Sequence, residues 1–209
     1  MTLPPTVLPG DPARTALITI DLQNDFLHAE GAYGRAGQSA PAIAALPGRI
    51  RPLRDALRAA GGIHISAQFT LVPRPDGTPL ISPHLATLRP FLGPGDFAPG
   101  SWGHSLVETL APADYTVEKV AYSAFYQTRL EFLLKKLGIT AILLGGIVTN
   151  GGVASTARDA HLRDIPLTLL TDGTAAFRDE VHAATLTALG TVCHQASCAE
   201  ITARLEGRT

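Results

Sequence analysis

Apolar residues along the chain fall into short unbroken runs, separated by stretches in which they recur every three or four positions. The runs read as buried strands and the spaced stretches as amphipathic helices, an alternation expected of βα units around a mostly parallel sheet. Five strands are predicted, at 16–20 (ALITI), 63–68 (IHISAQ), 115–118 (YTVE), 141–145 (AILLG) and 167–171 (LTLLT), with a sixth candidate at 191–194. Between the first two, Ile50, Leu53, Leu57 and Ala60 share one helical face, and Gly61-Gly62 follows, where a left-handed glycine would end the helix. Further helices are predicted over 128–137, with Leu130, Leu133, Leu134 and Leu137 apolar and Gly138 behind them, over 152–163 and over 179–189.

Residues 71–113 break the pattern. They are rich in Pro and Gly with little periodicity, so they form a long loop or cover, and such loops inside compact domains are often functional. The Pro-bearing N-terminal segment, 1–13, is expected to be loosely held. With no internal repeat, the 209 residues read as one domain, large enough to bury close to about 70% of its surface in a single core.

Composition narrows the partners. Lys and Arg number 17 against 18 Asp and Glu, a net charge of −1 with no basic run, so neither nucleic acid nor an anionic membrane is expected as a partner. The apolar run at 16–20 is too short for a membrane span or a signal core and no basic segment precedes it, which points to a cytoplasmic protein. The two cysteines, Cys193 and Cys198, have neither CxxC spacing nor enough partners for a disulfide framework, and read as reduced thiols.

In a parallel sheet, ligands bind outside the carboxyl ends of the strands. The first strand delivers Asp21 there, inside IDLQNDF; the second delivers Gln68; the third delivers Lys119, inside EKVAYSAF; the fourth delivers the glycine-rich turn GGIVTNGGV. An Asp and a Lys meeting in a partly buried cleft make a pair in which Lys⁺ favours the carboxylate while burial opposes both charges, and such a carboxyl group serves general acid–base chemistry. The Gly151-Gly152 turn leaves backbone N–H groups open at a helix start, suited to an oxyanion or a bound carboxylate. Taken singly, each feature has a plainer reading: a capping Asp, a solvated Lys, glycines that permit close packing.

Taken in order, IDLQNDF, EKVAYSAFYQTRLEFLLKKLGI and GIVTNGGVASTARDAHLRDI followed by LLTDGTAAF resemble the isochorismatase-like hydrolases, the cysteine hydrolase superfamily. The resemblance implies a three-layer αβα sandwich with a Rossmann-like sheet and a homo-oligomer, dimer or tetramer. In amide-cleaving members of that family the site is an Asp, Lys and Cys triad. Asp21 and Lys119 match the first two, and the Cys position is Gly152, so no thioacyl intermediate is expected. Nicotinamidase-like members hold a metal through Asp and His after the second strand; here that segment reads SAQFTLVPRP, so neither metal nor other cofactor is expected.

The isochorismatase branch is similar in Ala67-Gln68, Trp102-Gly103, the YSAF run from Tyr122 to Phe125, and Gly152. That branch implies vinyl ether hydrolysis without a covalent intermediate: Asp21 protonates the enol-ether carbon, water attacks the oxocarbenium carbon, Lys119 positions and tunes the carboxyl group, and Gln68 orients substrate or water. Val148-Thr149-Asn150 is instead the wording of the amidase branch, so the chain mixes features of both. The resemblance also implies a non-proline cis peptide near Val148-Thr149.

Substrate contacts are expected from Gln68, Phe26, Trp102, Tyr122, Val148, Thr149 and Gly151. For Phe26 the competing role is core packing, and for Trp102 a loop anchor. His28 and His104 read as exposed loop histidines, Arg74 as solvated surface, and Arg158 and Asp159 as a structural helix face. The expected function is metal-free hydrolysis of a small carbonyl- or carboxylate-bearing molecule. The alternatives are an amide or imide hydrolase in which water replaces the thiol, and a catalytically silent small-molecule binder.

Overall fold

A computed structural model of the chain describes residues 10–207. Six strands form one sheet in the order β3-β2-β1-β4-β5-β6. They are β1 (Thr15–Ile20), β2 (Ile63–Phe69), β3 (Tyr115–Lys119), β4 (Ala141–Ile147), β5 (Leu167–Ala175) and β6 (His194–Ala196). Every pairing is parallel. β1 and β4 are buried along their whole length, as central parallel strands must be when helices cover both faces.

In chain order the helices are α1 (Asn24–Leu27), α2 (Ala32–Arg35), α3 (Pro41–Ala44), α4 (Leu46–Ala59), α5 (Pro83–Leu88), α6 (Leu130–Lys136), α7 (Ala154–His161), α8 (Asp179–Leu189) and α9 (Cys198–Leu205). Ile18, Ile20, Ile65, Ile142 and Leu144 pack on one face of the sheet against Leu130 and Leu134 of α6 and Ala157 and Ala160 of α7. Leu17, Leu143 and Leu170 pack on the other against Ile50, Leu53 and Leu57 of α4 and Ile201 of α9. Strand alternation thus feeds two cores and gives the expected three-layer sandwich. Gly61 closes α4 in the left-handed region, at φ 90°, as its sequence position predicts. No helix among the described residues is long and apolar enough to cross a membrane.

Several boundaries differ from expectation: β4 and β5 run on to Ile147 and Ala175, and three elements start later than their sequence pattern indicates. The last strand begins at His194, not 191, because the N–H groups of Val192 and Cys193 still donate to the Leu189 carbonyl and wind the chain out of α8. The helix expected over 152–163 starts at Ala154, since Gly151 (φ −113°, ψ −105°) is not helical and Thr149–Val153 makes a wide turn first. The one expected over 128–137 begins at Leu130, whose N–H is capped by the Thr128 hydroxyl at 3.1 Å. Of the N-terminal segment expected to be loose, residues 1–9 lie outside the described residues, whereas Pro12–Arg14 forms a turn capped by the Asp11 side chain.

The cover, 71–113, carries α5 and is tied down at its base. Buried Asp25 accepts the N–H of Ala32 at 2.9 Å and of Phe97 at 2.7 Å, while its own N–H donates to the Gly103 carbonyl at 2.8 Å. A β-carbon at 103 would stand 2.2 Å from the Asp25 carboxylate, so the Trp102-Gly103 pair needs its glycine for this approach. Gln23, fully buried, donates to the carbonyls of Phe69 and His104 and joins the same base to β2. Tyr33, Leu71 and Phe97 pack with Phe26 and Phe69 into a third apolar cluster beneath the cover.

Candidate active site

The order of strands reverses between β1 and β4, and the site lies just beyond their carboxyl ends. Asp21 is the first residue past β1. Its N–H still pairs with the Ala67 carbonyl at 2.9 Å, and its φ of 58° is a left-handed conformation that Asp tolerates better than most residues. Lys119 closes β3, two strands away, and its ammonium group reaches back over β2 to donate to Asp21 Oδ2 at 2.7 Å. The second carboxylate oxygen accepts the Phe69 N–H at 3.1 Å, and Lys119 Nζ also donates to the Ala121 carbonyl at 3.2 Å.

Both side chains are almost wholly buried, Lys119 at 1% and Asp21 at 7% exposure. Burial raises the Asp21 pKa and outweighs the Lys119 charge and hydrogen bond that lower it. Burial thus favours the protonated form of Asp21, and the Lys119 ammonium favours the ionised one. Gly152 faces it from the β4 turn: a β-carbon there would lie 3.3 Å from Asp21 Oδ2, so bare backbone borders the acid.

Above the pair lies a cavity of about 290 Å³. Asp21, Lys119, Gly152, Phe26, Tyr122 and Val148 all line it, which brings together the expected acid, its partner, the glycine and three of the expected contacts. Four expected contacts are not among its lining residues. β2 runs one residue further than its apolar run indicates, so Phe69 reaches the rim and Gln68 stays buried one position back. Trp102 stands 51% exposed, edge-on to His28, over a separate cleft with Leu27, Pro47 and Leu106. Thr149 is fully buried, its hydroxyl paired with His182 Nδ1 at 2.8 Å, and Gly151 packs against Val148. The non-proline cis bond is Ile147–Val148, one peptide earlier than expected.

Other expectations meet the folded chain as follows. His28 is exposed, but His104 is buried, with Nε2 2.9 Å from the Thr70 hydroxyl, because the base of the cover folds over it. Arg74 is exposed and donates to the Pro79 carbonyl. Arg158 donates to the Ala154 carbonyl, and Asp159 pairs with Arg163 one helical turn on. Both cysteines are free and buried, and burial pushes the Cys193 thiol up to about 11 and the Cys198 thiol up as well. Among the described residues no group of three or more His, Cys, Asp or Glu side chains is arranged to hold a metal ion.

Tyr33, Phe69, Arg89 and Phe177 also line the cavity and were not marked by sequence. Tyr33 comes from a one-turn helix and Arg89 from the aperiodic cover, neither of which carries a local signal for facing Asp21.

The chain is thus an α/β protein with a doubly wound parallel sheet and a buried acid–ammonium pair facing a cavity at its switch point. The isochorismatase domain model matches residues 15–202, and the chain belongs to the isochorismatase family, whose members are hydrolases. It is 34% identical over 174 residues to the uncharacterized isochorismatase family protein YwoC of Bacillus subtilis (strain 168), covering 83% of this chain and 84% of that protein. To the ureidoacrylate amidohydrolase RutB of Methylobacterium radiotolerans it is 35% identical over 188 residues, covering 84% of this chain and 73% of that one. A cysteine hydrolase from Pseudomonas syringae pv. phaseolicola 1448A superposes over all of both chains with a TM-score of 0.83 and 27% identity.

Proposed function

We propose that this chain hydrolyses a small carbonyl- or carboxylate-bearing molecule with Asp21 as general acid and base, without a metal and without a covalent intermediate. The observation that carries this reading is the buried Asp21–Lys119 pair, 2.7 Å apart, facing a cavity with glycine where the family resemblance expects a thiol. For a vinyl ether, the protonated Asp21 delivers its proton to the enol-ether carbon. Water adds to the oxocarbenium carbon and returns a proton to the carboxylate, and the hemiketal then breaks its C–O bond to release a ketone and an alcohol. Lys119 holds the carboxylate during the half of the cycle in which it is charged. Phe69, Phe26 and Val148 exclude bulk water around the cation.

A second reading is favoured by the relative named as an amidohydrolase. In it the ionised Asp21 takes a proton from water as that water attacks an amide carbonyl, and returns it to the leaving nitrogen. The two readings share Asp21 and differ in substrate, so isochorismate and ureidoacrylate are the first compounds to assay. Asp21→Asn, nearly isosteric but unable to transfer a proton, is expected to lower kcat/KM by a factor on the order of 10²–10⁴ on whichever compound turns over. Full activity in that variant overturns the proposal.

A further inference from the structure

The fold buries Thr149, an expected substrate contact, completely, inside the turn that flanks the acid. Val148, just before it, walls the cavity, and Gly152, at the far side of the turn, is the position whose β-carbon would stand 3.3 Å from Asp21 Oδ2. The turn closes on the Val148 carbonyl, which accepts the N–H of Gly151 at 2.9 Å and of Val153 at 3.4 Å. A shift at Thr149 is therefore passed on both to the cavity wall and to the backbone beside the acid.

Among the described residues, the Thr149 hydroxyl has one hydrogen-bond partner, and it lies outside the turn: Oγ1 is 2.8 Å from His182 Nδ1 on α8, where the O–H donates to an unprotonated ring nitrogen. His182 is half-buried and is not among the residues that line the cavity. Leu189, at the far end of α8, is the one buried residue of that helix, so near its start this bond supplies what apolar packing does not. Just ahead of α8, Phe177 lines the cavity and stacks on Tyr33 at 6.0 Å. One hydrogen bond thus fastens the Val148 side of the cavity to the element that carries its Phe177 side. A buried hydroxyl is costly to leave unpaired, which gives the turn one favoured seat.

We infer that His182 is a positioning residue: acting through Thr149, it seats the turn from Val148 to Gly152 against Asp21 and so fixes how a substrate in the cavity meets the acid. Its imidazole touches no substrate and transfers no proton in the reaction. A misplacement of about 1 Å between a substrate and a catalytic group costs up to about a hundredfold in rate, which is the scale on which such a tie acts. The effect on rate rests on the hydrolase reading, whereas the hold on the turn does not. Thr149 thereby receives a role inside the protein in place of the substrate contact that its sequence position suggests.

Two measurements on the whole protein test this, with His182→Ala and Thr149→Val breaking the bond and His182→Asn placing an acceptor oxygen where Nδ1 stands. The first is amide hydrogen exchange by NMR, which needs no turnover. The Gly151 and Val153 amides are expected to exchange at least about tenfold faster in His182→Ala and in Thr149→Val, with β1 amides unchanged and His182→Asn recovering most of the protection. The second is kinetics on whichever of isochorismate and ureidoacrylate turns over: both bond-breaking variants are expected to lower kcat by about ten- to a hundredfold with KM within about threefold, the double variant to lose no more than either single one, and His182→Asn to regain most of the loss. A merely stabilising contact would lower the urea midpoint and leave kcat of the folded protein where it was. Four results overturn the inference: turn amides in His182→Ala that exchange as in wild type, β1 amides accelerated to the same degree, a kcat within about twofold of wild type, or a His182→Asn variant no better than His182→Ala. A wild type that turns over neither compound removes the hydrolase reading and leaves the exchange pattern to decide whether His182 holds the turn.

Discussion

At Asp21 two influences act in opposite directions, its burial and the neighbouring Lys119 ammonium. Burial raises the Asp21 pKa and Lys119 pulls it down. A general acid works below its own pKa, so the acid-catalysed rate falls as pH rises through that value. Lys119→Met removes the downward pull, and the alkaline limb of the kcat/KM profile is expected to move to higher pH as the rate drops; an unmoved limb would show that Asp21 is not the titrating group. Gly152 answers a separate question. Its ideal β-carbon stands 2.9 Å from Ile20 Cγ2 and 3.2 Å from the Ile147 carbonyl, so Gly152→Cys is expected to cost about 1–3 kcal/mol by overpacking while setting a thiol beside Asp21. If the cavity keeps amidase geometry, mass spectrometry of that variant incubated with ureidoacrylate will show an acyl adduct. Its absence favours the vinyl ether reading.

At the scale of elements, the sheet presents the acid–base pair and the cover shapes the space above it. The cover has little regular structure of its own, so its path depends on anchors such as Asp25, whose carboxylate is shared between Ala32 at the start of α2 and Phe97 in the cover. Asp25→Ala leaves two backbone donors without their acceptor and is expected to cost on the order of 3 kcal/mol, with faster proteolytic cleavage within 71–113. A urea midpoint unchanged from wild type would contradict this role. Asp25 stands four residues past Asp21 in the same motif, yet it does structural work: one carboxylate of IDLQNDF faces the cavity and the other holds the roof's footing.

Across the molecule, stability is expected to depend on a group far from the cavity chemistry. His64 on β2 is fully buried, its Nε2 2.8 Å from the Thr19 hydroxyl, and burial together with Arg58 and Arg54 lowers its pKa from 6.5 to about 4. Between those values the unfolded chain takes up a proton that the folded chain refuses. The contribution is therefore complete above pH 6.5 and is lost as pH falls toward 4, on the order of 3 kcal/mol in all. Urea midpoints at pH 7 and pH 4.5 are expected to lie closer together in His64→Gln than in wild type; an equal separation rules the assignment out. Five strands, the α/β architecture and the Asp21–Lys119 pair were legible in the chain, because apolar runs that must be buried on both sides of a sheet leave a local mark and strand ends name the residues they deliver. Tyr33, Arg89 and the exclusion of Gln68 and Trp102 from the cavity were decided by tertiary structure alone. A Pro- and Gly-rich segment has no period to read, and where it comes to rest is set by buried hydrogen bonds to residues as distant as Gln23 and Asp25.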